Sequence, residues 1–212
     1  MVLALAVGLV GIPFGVLATT AGLSFAKAMV MSLLVFTGAS QFAAVGVLDA
    51  GGSPFSAVGS ALLLGARNSL YGVRLSGLLA PLGLRRIPAA QLVIDESTAM
   101  SVAQSDDRSA LEAFWWTGLG VYLFWNSGTA LGAWLGDLIG EPETWGLDAA
   151  FPASFVALVG TQLTDQPARV AAIAGVAIAL VAVPFSPPGL PILLAAFAVV
   201  PGLGVLKRAA RR

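Results

Sequence analysis

An all-α integral membrane protein of about seven transmembrane helices is the fold class this sequence predicts, on three observations. The 212 residues have a mean hydropathy of +0.90 and are 58% hydrophobic. Only 10% are charged, against about 25% in a soluble domain. Apolar runs of about 20 residues, the length that crosses a bilayer, recur along the chain. Eleven basic and eleven acidic residues leave a formal charge of zero, so there is no surplus for a phosphate backbone and nucleic acid is excluded as a partner. Cysteine and histidine are absent, which removes disulfides, thiolate catalysis, Cys/His metal sites and an imidazole general base. No metal and no cofactor is expected. With no P-loop, no HExxH helix and no separated pair of intramembrane aspartates, neither is an enzyme.

The elements follow in order within one permease domain, 1–212. The run 2–22 has no basic lead and is followed by further spans, so it reads as a retained first helix and not a signal peptide. Lys27 separates it from a second span, 28–48, which ends at the polar turn Asp49-Ala50-Gly51-Gly52-Ser53-Pro54. The third span, 55–84, carries Arg67, Asn68 and Arg74. Residues 85–112 are mixed and read as a cytoplasmic loop with an interfacial helix around Gln91 to Gln104. Apolar spans resume at 113–136, 149–163, 170–186 and 189–206. The acidic loop Asp137, Glu141, Glu143, Asp148, then Asp165 to Arg169, then Ser186-Pro187-Pro188 separate them. Cytoplasmic loops are enriched in Lys and Arg. Placing Lys207, Arg208, Arg211 and Arg212 inside and alternating backwards puts Arg169, Arg85, Arg86, Arg108 and Lys27 inside too. That alternation predicts an outside N-terminus and a cytoplasmic C-terminus.

Packing signals lie within the spans. Gly128, Gly132, Gly136 and Gly140 recur every fourth residue, and Gly8, Gly11, Gly15 and Gly22 trace a similar small face. Such faces let helix backbones approach closely in lipid. Pro13, Pro152, Pro167 and Pro184 each remove a backbone donor, which fits simple kinks and also the broken helices from which carriers build sites. Gly22-Leu23 with the run ending Gly38-Ala39-Ser40-Gln41 echoes Gly146-Leu147 with the run ending Gly160-Thr161-Gln162. This predicts a 3+3 inverted repeat plus one C-terminal helix.

Arg67 is the leading functional candidate, because a charge at mid-span costs roughly 2.5 to 3.5 kcal/mol and faces a cavity or a partner. Tyr71 and Arg74 share its helical face. Its guanidinium fits a substrate carboxylate, and equally an acidic side chain, helix carbonyls or the interface. Ser40, Gln41, Asn126, Ser127, Thr129, Thr161 and Gln162 are neutral groups in apolar runs, suited to substrate or to bonds between helices. Asp95 and Glu96 fit proton carriage or a solvated helix start; as neighbours on a helix they point about 100 degrees apart and form no shared dyad.

Pro13-Phe14-Gly15, the Gly22-Leu23-Ser24 break, Phe36-Thr37-Gly38-Ala39-Ser40-Gln41-Phe42, the Arg67...Leu70-Tyr71-Gly72 element, Asp95-Glu96-Ser97 and Gly146-Leu147-Asp148 occur in this order. Together they resemble the AzlC family, large subunits of two-component branched-chain amino acid exporters of bacteria. The resemblance implies a multi-pass permease of the cytoplasmic membrane that exports leucine, isoleucine and valine, with methionine a further candidate. It also implies a small AzlD-type membrane subunit as partner, with lipid around both. Arg67, Ser40, Gln41, Asn68, Tyr71 and Gln162 are the substrate-binding candidates, and Asp95 and Glu96 the proton-coupling ones. The family element reads Asn-x-Arg-His-x-Leu-Tyr-Gly, whereas here Gly65 stands for the Asn and Asn68 for the His, so substrate or coupling is expected to differ. Composition alone leaves open a channel-like or structural membrane subunit acting on another small solute.

Overall fold

The computed structural model describes residues 1–139 and 163–209, backbone only at 137–139 and 207–209, and positions 144, 146, 149, 153, 156, 159 and 160. The described residues are helical and contain no strand: α1 (Val2–Thr20), α2 (Phe25–Leu34), α3 (Ala39–Asp49), α4 (Pro54–Leu79), α5 (Arg86–Gln91), α6 (Asp95–Val102), α7 (Asp107–Ile139), α8 (Gln166–Ala182), α9 (Leu190–Ala195) and α10 (Val199–Ala209). Short polar side chains start many of them. Ser24 accepts from the Lys27 N–H, Ser53 from Ser56, and Asp165 from Ala168, each satisfying a donor that the first helical turn leaves free. Asp106 does the same for Ser109 at 2.9 Å, and that bond holds its carboxyl below the usual carboxylate range.

α1 and α7 pack along a glycine seam and run parallel. A Cβ on Gly128 would overlap the Gly8 carbonyl oxygen, one on Gly132 the Ile12 carbonyl oxygen, and one on Gly136 the Thr19 hydroxyl. Gly8, Gly11 and Gly15 meet the α7 backbone in the same way, at Phe124, Trp125 and Thr129. Contact this close maximises dispersion between helices where lipid supplies no hydrophobic drive. Gly22 does not belong to the seam: its φ of +87 turns the chain out of α1, and a Cβ there would meet nothing within 4 Å. Gly140 lies outside the described residues.

The parallel pair corrects the expected topology, because the run 28–48 does not cross. α2 descends along α7, with Ser32 bonded to Thr129 and the Tyr122 hydroxyl donating to the Leu33 carbonyl. The chain then reverses over 35–38. Phe36 packs on Tyr122, whereas Phe42 packs on Trp125 and Phe14, so α3 returns toward the end from which α2 came. α4 crosses opposite to α7 and α5–α6 forms a second hairpin from the other end. Leu92 at its tip meets Gly118, and Ser101 near its exit donates to the Ala110 carbonyl at 3.0 Å. Residues 85–112 are therefore not a loop with an interfacial helix; Ala89, Leu92, Val93, Ile94 and Ser97 are buried.

The described half thus consists of two units in opposite orientation: α1 with hairpin α2–α3, then α4 with hairpin α5–α6. Between span and hairpin each unit has a glycine at positive φ, Gly22 at +87 and Gly83 at +57. Of the second copy in the predicted 3+3 repeat, most of the middle span 149–163, including 161–162, lies outside the described residues.

Further along, α8 with its 3-10 extension to Phe185 matches α1 in being long and apolar enough to cross a membrane. The last predicted span, 189–206, is broken into α9, a 3-10 turn and α10. These fold back along α8, with Gly175 facing Ala198 and Gly202 facing Ala171. Gly189 packs on Val47 and Ser56, so loops 50–53 and 186–189 share one end of the bundle; α1 starts from the opposite side, with Ala4 against Gly120 of α7. Residues 28–48 form two helices with a reversal between them, whereas the alternation that gave an outside N-terminus counts them as one span.

The seam predicts a sharp contrast between two Gly→Ala variants. Gly132→Ala forces two backbones apart and is expected to cost about 1–3 kcal/mol, whereas Gly72→Ala, whose Cβ meets nothing within 4 Å, is expected to be neutral. Thermal unfolding in detergent measures both, and equal midpoints would refute the seam.

Candidate functional site

The two hairpin tips meet at mid-bundle beside the middle of α4. Broken helices expose backbone groups that apolar surroundings cannot satisfy, and polar side chains take them up. Gln41, fully buried, accepts from the Gly38 N–H at 3.0 Å and donates to the Met31 carbonyl at 3.3 Å. The Gln91 amide donates to the Leu33 and Leu34 carbonyls, tying the second tip to the first. Asn68 donates to the Val93 carbonyl at 3.1 Å. Ser97 accepts from the Ile94 N–H, as Gln41 does from Gly38, both three residues into their helices.

Between the tips lies a cavity of about 270 Å³. Val7, Val10, Phe36, Phe42, Val121 and Trp125 form apolar walls; Thr37, Arg67, Asn68, Asp95 and Glu96 supply polar groups. Arg67 Nη2 lies 2.8 Å from Asp95 Oδ2, and both side chains are about one-third exposed to the cavity. Tyr71, one turn further on α4, directs its hydroxyl at the same carboxylate. α3 and α6 both begin here, so their positive ends face the cavity. The Phe14, Phe42 and Trp125 rings close the back, with Phe14 and Trp125 stacked at 5.8 Å. Trp125 Nε1 and Asn68 Oδ1 are buried beside it without a hydrogen-bond partner.

The structure gathers Arg67, Asn68, Tyr71, Asp95 and Glu96 and separates the other candidates from them. Asp95 and Glu96 are not a solvated helix start; they open α6 inside the bundle. Gln41 clamps the first tip and does not line the cavity, and Ser40 lines a neighbouring cavity between α3 and α4. Gln162 lies outside the described residues. Sequence reasoning missed Gln91 and Tyr122, whose roles appear only when the first tip supplies carbonyls to be satisfied. Among the described residues no cluster of His, Cys, Asp or Glu suits a metal ion.

Two opposed hairpins around a small charged cavity give an all-helical architecture of the kind found in membrane proteins. A family model described as AzlC protein matches residues 2–139, which hold both hairpins and the cavity. The chain belongs to the AzlC family. It is 35% identical over 175 residues to an uncharacterized membrane protein of Archaeoglobus fulgidus, covering 81% of this chain and 75% of that one. It is 23% identical over 172 residues to the branched-chain amino acid transport protein AzlC of Bacillus subtilis, covering 80% and 67%. An uncharacterized membrane protein of Helicobacter pylori strain J99 is 26% identical over 82% of this chain and 76% of its own length. No solved structure matches.

The clamp generates a graded prediction. Gln41→Ala strands one buried donor and one carbonyl, at about 1–3 kcal/mol each. Gln41→Glu keeps an acceptor for the Gly38 N–H and donates to the Met31 carbonyl only when protonated; ionised, it buries an unpaired charge, so its thermal midpoint should fall as the pH is raised, while that of Gln41→Ala should not.

Proposed function

We propose that this chain is a carrier that exports branched-chain amino acids across the cytoplasmic membrane by alternating access, as the large subunit beside a small AzlD-type partner. The observation that carries the reading is the Arg67–Asp95 ion pair set between two opposed hairpin tips in an apolar-walled cavity; the name of the Bacillus relative points to the same solute class. Arg67 and the positive ends of α3 and α6 suit a carboxylate, Asp95 and Glu96 an ammonium, and the aliphatic and aromatic walls a branched side chain. At about 270 Å³ the cavity sits at the small end of ligand pockets, which span roughly 300–1,000 Å³. The substrate displaces the ion pair by offering each partner an opposite charge.

Glu96 lines the cavity without a cation of its own among the described residues and is the proton-coupling group in this reading, with Asp95 second. The end holding Arg85, Arg86, Arg108 and the N-terminus is cytoplasmic by its basic content, so both termini lie inside. α8 has no buried residue and offers its apolar surface to lipid and to the small partner.

Counterflow of labelled leucine into vesicles holding this chain, with and without a small partner, tests the reading. Saturable, stereoselective uptake is expected. Arg67→Ala should lose about tenfold or more, Arg67→Lys should keep part, and full transport by an assembled Arg67→Gln would end the assignment. Glu96→Gln should retain exchange and lose the response to an imposed pH gradient.

A further inference from the structure

α4, α6 and α7 line a second cavity besides the central one. Arg67 and Asn68, Asp95 and Glu96, and Val121 and Trp125 border the central cavity. Leu75 and Leu78, Ser101 and Val102, and Ala110 of the same helices border another, of about 440 Å³. It lies at the end that holds Arg85, Arg86 and Arg108. α4 and α6 both run from mid-bundle to that end, so one groove between them leads from the first cavity to the second.

The outer cavity is polar and open to water. Arg74 of α4 and Gln104, Ser105, Asp106 and Asp107 of the α6–α7 turn line it, and all five are exposed. With both signs of charge beside water, it lets a zwitterion enter without losing the solvation of either charged group.

Between the cavities the groove is shut by a layer of side chains. Tyr71 and Leu75 follow Arg67 at i+4 and i+8 on one face of α4, Thr98 lies between Asp95 and Val102 on one face of α6, and Phe114 lies between Ala110 and Val121 on α7. Leu75, Thr98 and Phe114 are 4%, 7% and 0% exposed. Two details distinguish this layer from ordinary core. The Tyr71 hydroxyl is directed at the Asp95 carboxylate, the same group that Arg67 holds at 2.8 Å. The Thr98 hydroxyl is buried without a hydrogen-bond partner, a cost that water would relieve if the layer parted.

We propose that this groove is the solute's passage between the central cavity and the basic end, with the polar outer cavity as its vestibule and Tyr71 as its gate. The passage rests on the carrier reading above and deepens it by naming the route. An ammonium group that draws Asp95 away from Arg67 draws it away from Tyr71 as well. The tie between α4 and α6 is then released, α6 parts from α4, and the solute moves on to Arg74 and the Asp106 and Asp107 carboxylates. Filling the site and opening it toward the basic end are coupled through one carboxylate.

The chain has no cysteine, so single thiols report the route. Leu75→Cys and, separately, Thr98→Cys put one in the closed layer, and Val102→Cys puts one in the vestibule. Gly72→Cys puts one off the groove, where a Cβ meets nothing within 4 Å. The full chain, with any partner it needs, is reconstituted in vesicles and treated on both faces with the charged thiol reagent trimethylammonioethyl methanethiosulfonate, with leucine present or absent. The vestibule thiol should react without leucine, and its modification should remove most of that variant's own leucine counterflow. The layer thiols should react slowly alone and about fivefold faster with leucine, and Tyr71→Phe should raise their rate about fivefold without it, as the loss of one hydrogen bond predicts. The Gly72→Cys protein should respond to neither. A merely structural role for Tyr71 would not make the layer rate depend on leucine, and two layer positions guard against one variant failing to fold. Layer rates indifferent to leucine at both positions, or full counterflow after Val102→Cys is modified, overturn the passage and leave the carrier standing. No counterflow by the cysteine-free parent overturns the carrier reading and the passage with it.

Discussion

Every backbone group inside a bilayer must find a partner within the protein, and that constraint shapes this molecule. Interrupting a helix at mid-depth frees its last carbonyls and the next helix's first N–H groups. The two breaks are tolerated because amides and hydroxyls stand opposite them: Gln41 and Gln91 at the end of α2, Tyr122 reaching Leu33, and Asn68 reaching Val93. The positive ends of α3 and α6 face the cavity between the tips.

The clamps need a fixed frame, and the α1–α7 seam provides it. With glycines at the contact, two parallel helices touch backbone to backbone, and helices so close cannot slide past each other without steric cost. α7 then presents Tyr122, Trp125 and Thr129 at fixed heights to α2 and α3. The hairpins are held at their tips by a few hydrogen bonds, whereas the seam is held by backbone contact along its length.

Much of this was legible in the chain. The hydropathy runs 2–22, 55–84, 113–136 and 170–186 overlap α1, α4, α7 and α8, with ends that differ by up to six residues, and the four-residue glycine spacing coincides with the seam. Arg67 and Asp95 stand out as charges, but only folding brings them to 2.8 Å. The hairpins were not legible from hydropathy, because a run of 21 uncharged, mostly apolar positions such as 28–48 has the length of a span whether it crosses or turns back. The local signs of a turn were present: Thr37-Gly38 in mid-run, with Gln41 at the third helical position, the pattern of a helix start. Ser40 and Gln41 sat next to the right site and on the wrong side of it, since consecutive residues on α3 face different neighbours.

The Gln91 and Tyr122 bonds to α2 also order events during biosynthesis. Their donors lie 58 and 89 residues after Leu33 in the chain. When α1 to α3 leave the ribosome, the Leu33 and Leu34 carbonyls have no side-chain donors yet, and a polar tip cannot rest in hydrocarbon. The first hairpin must therefore wait at the membrane surface, or shelter in the insertion machinery, until α7 has been made. Its entry closes the central cavity last, so that cavity is complete only in chains synthesised past Tyr122.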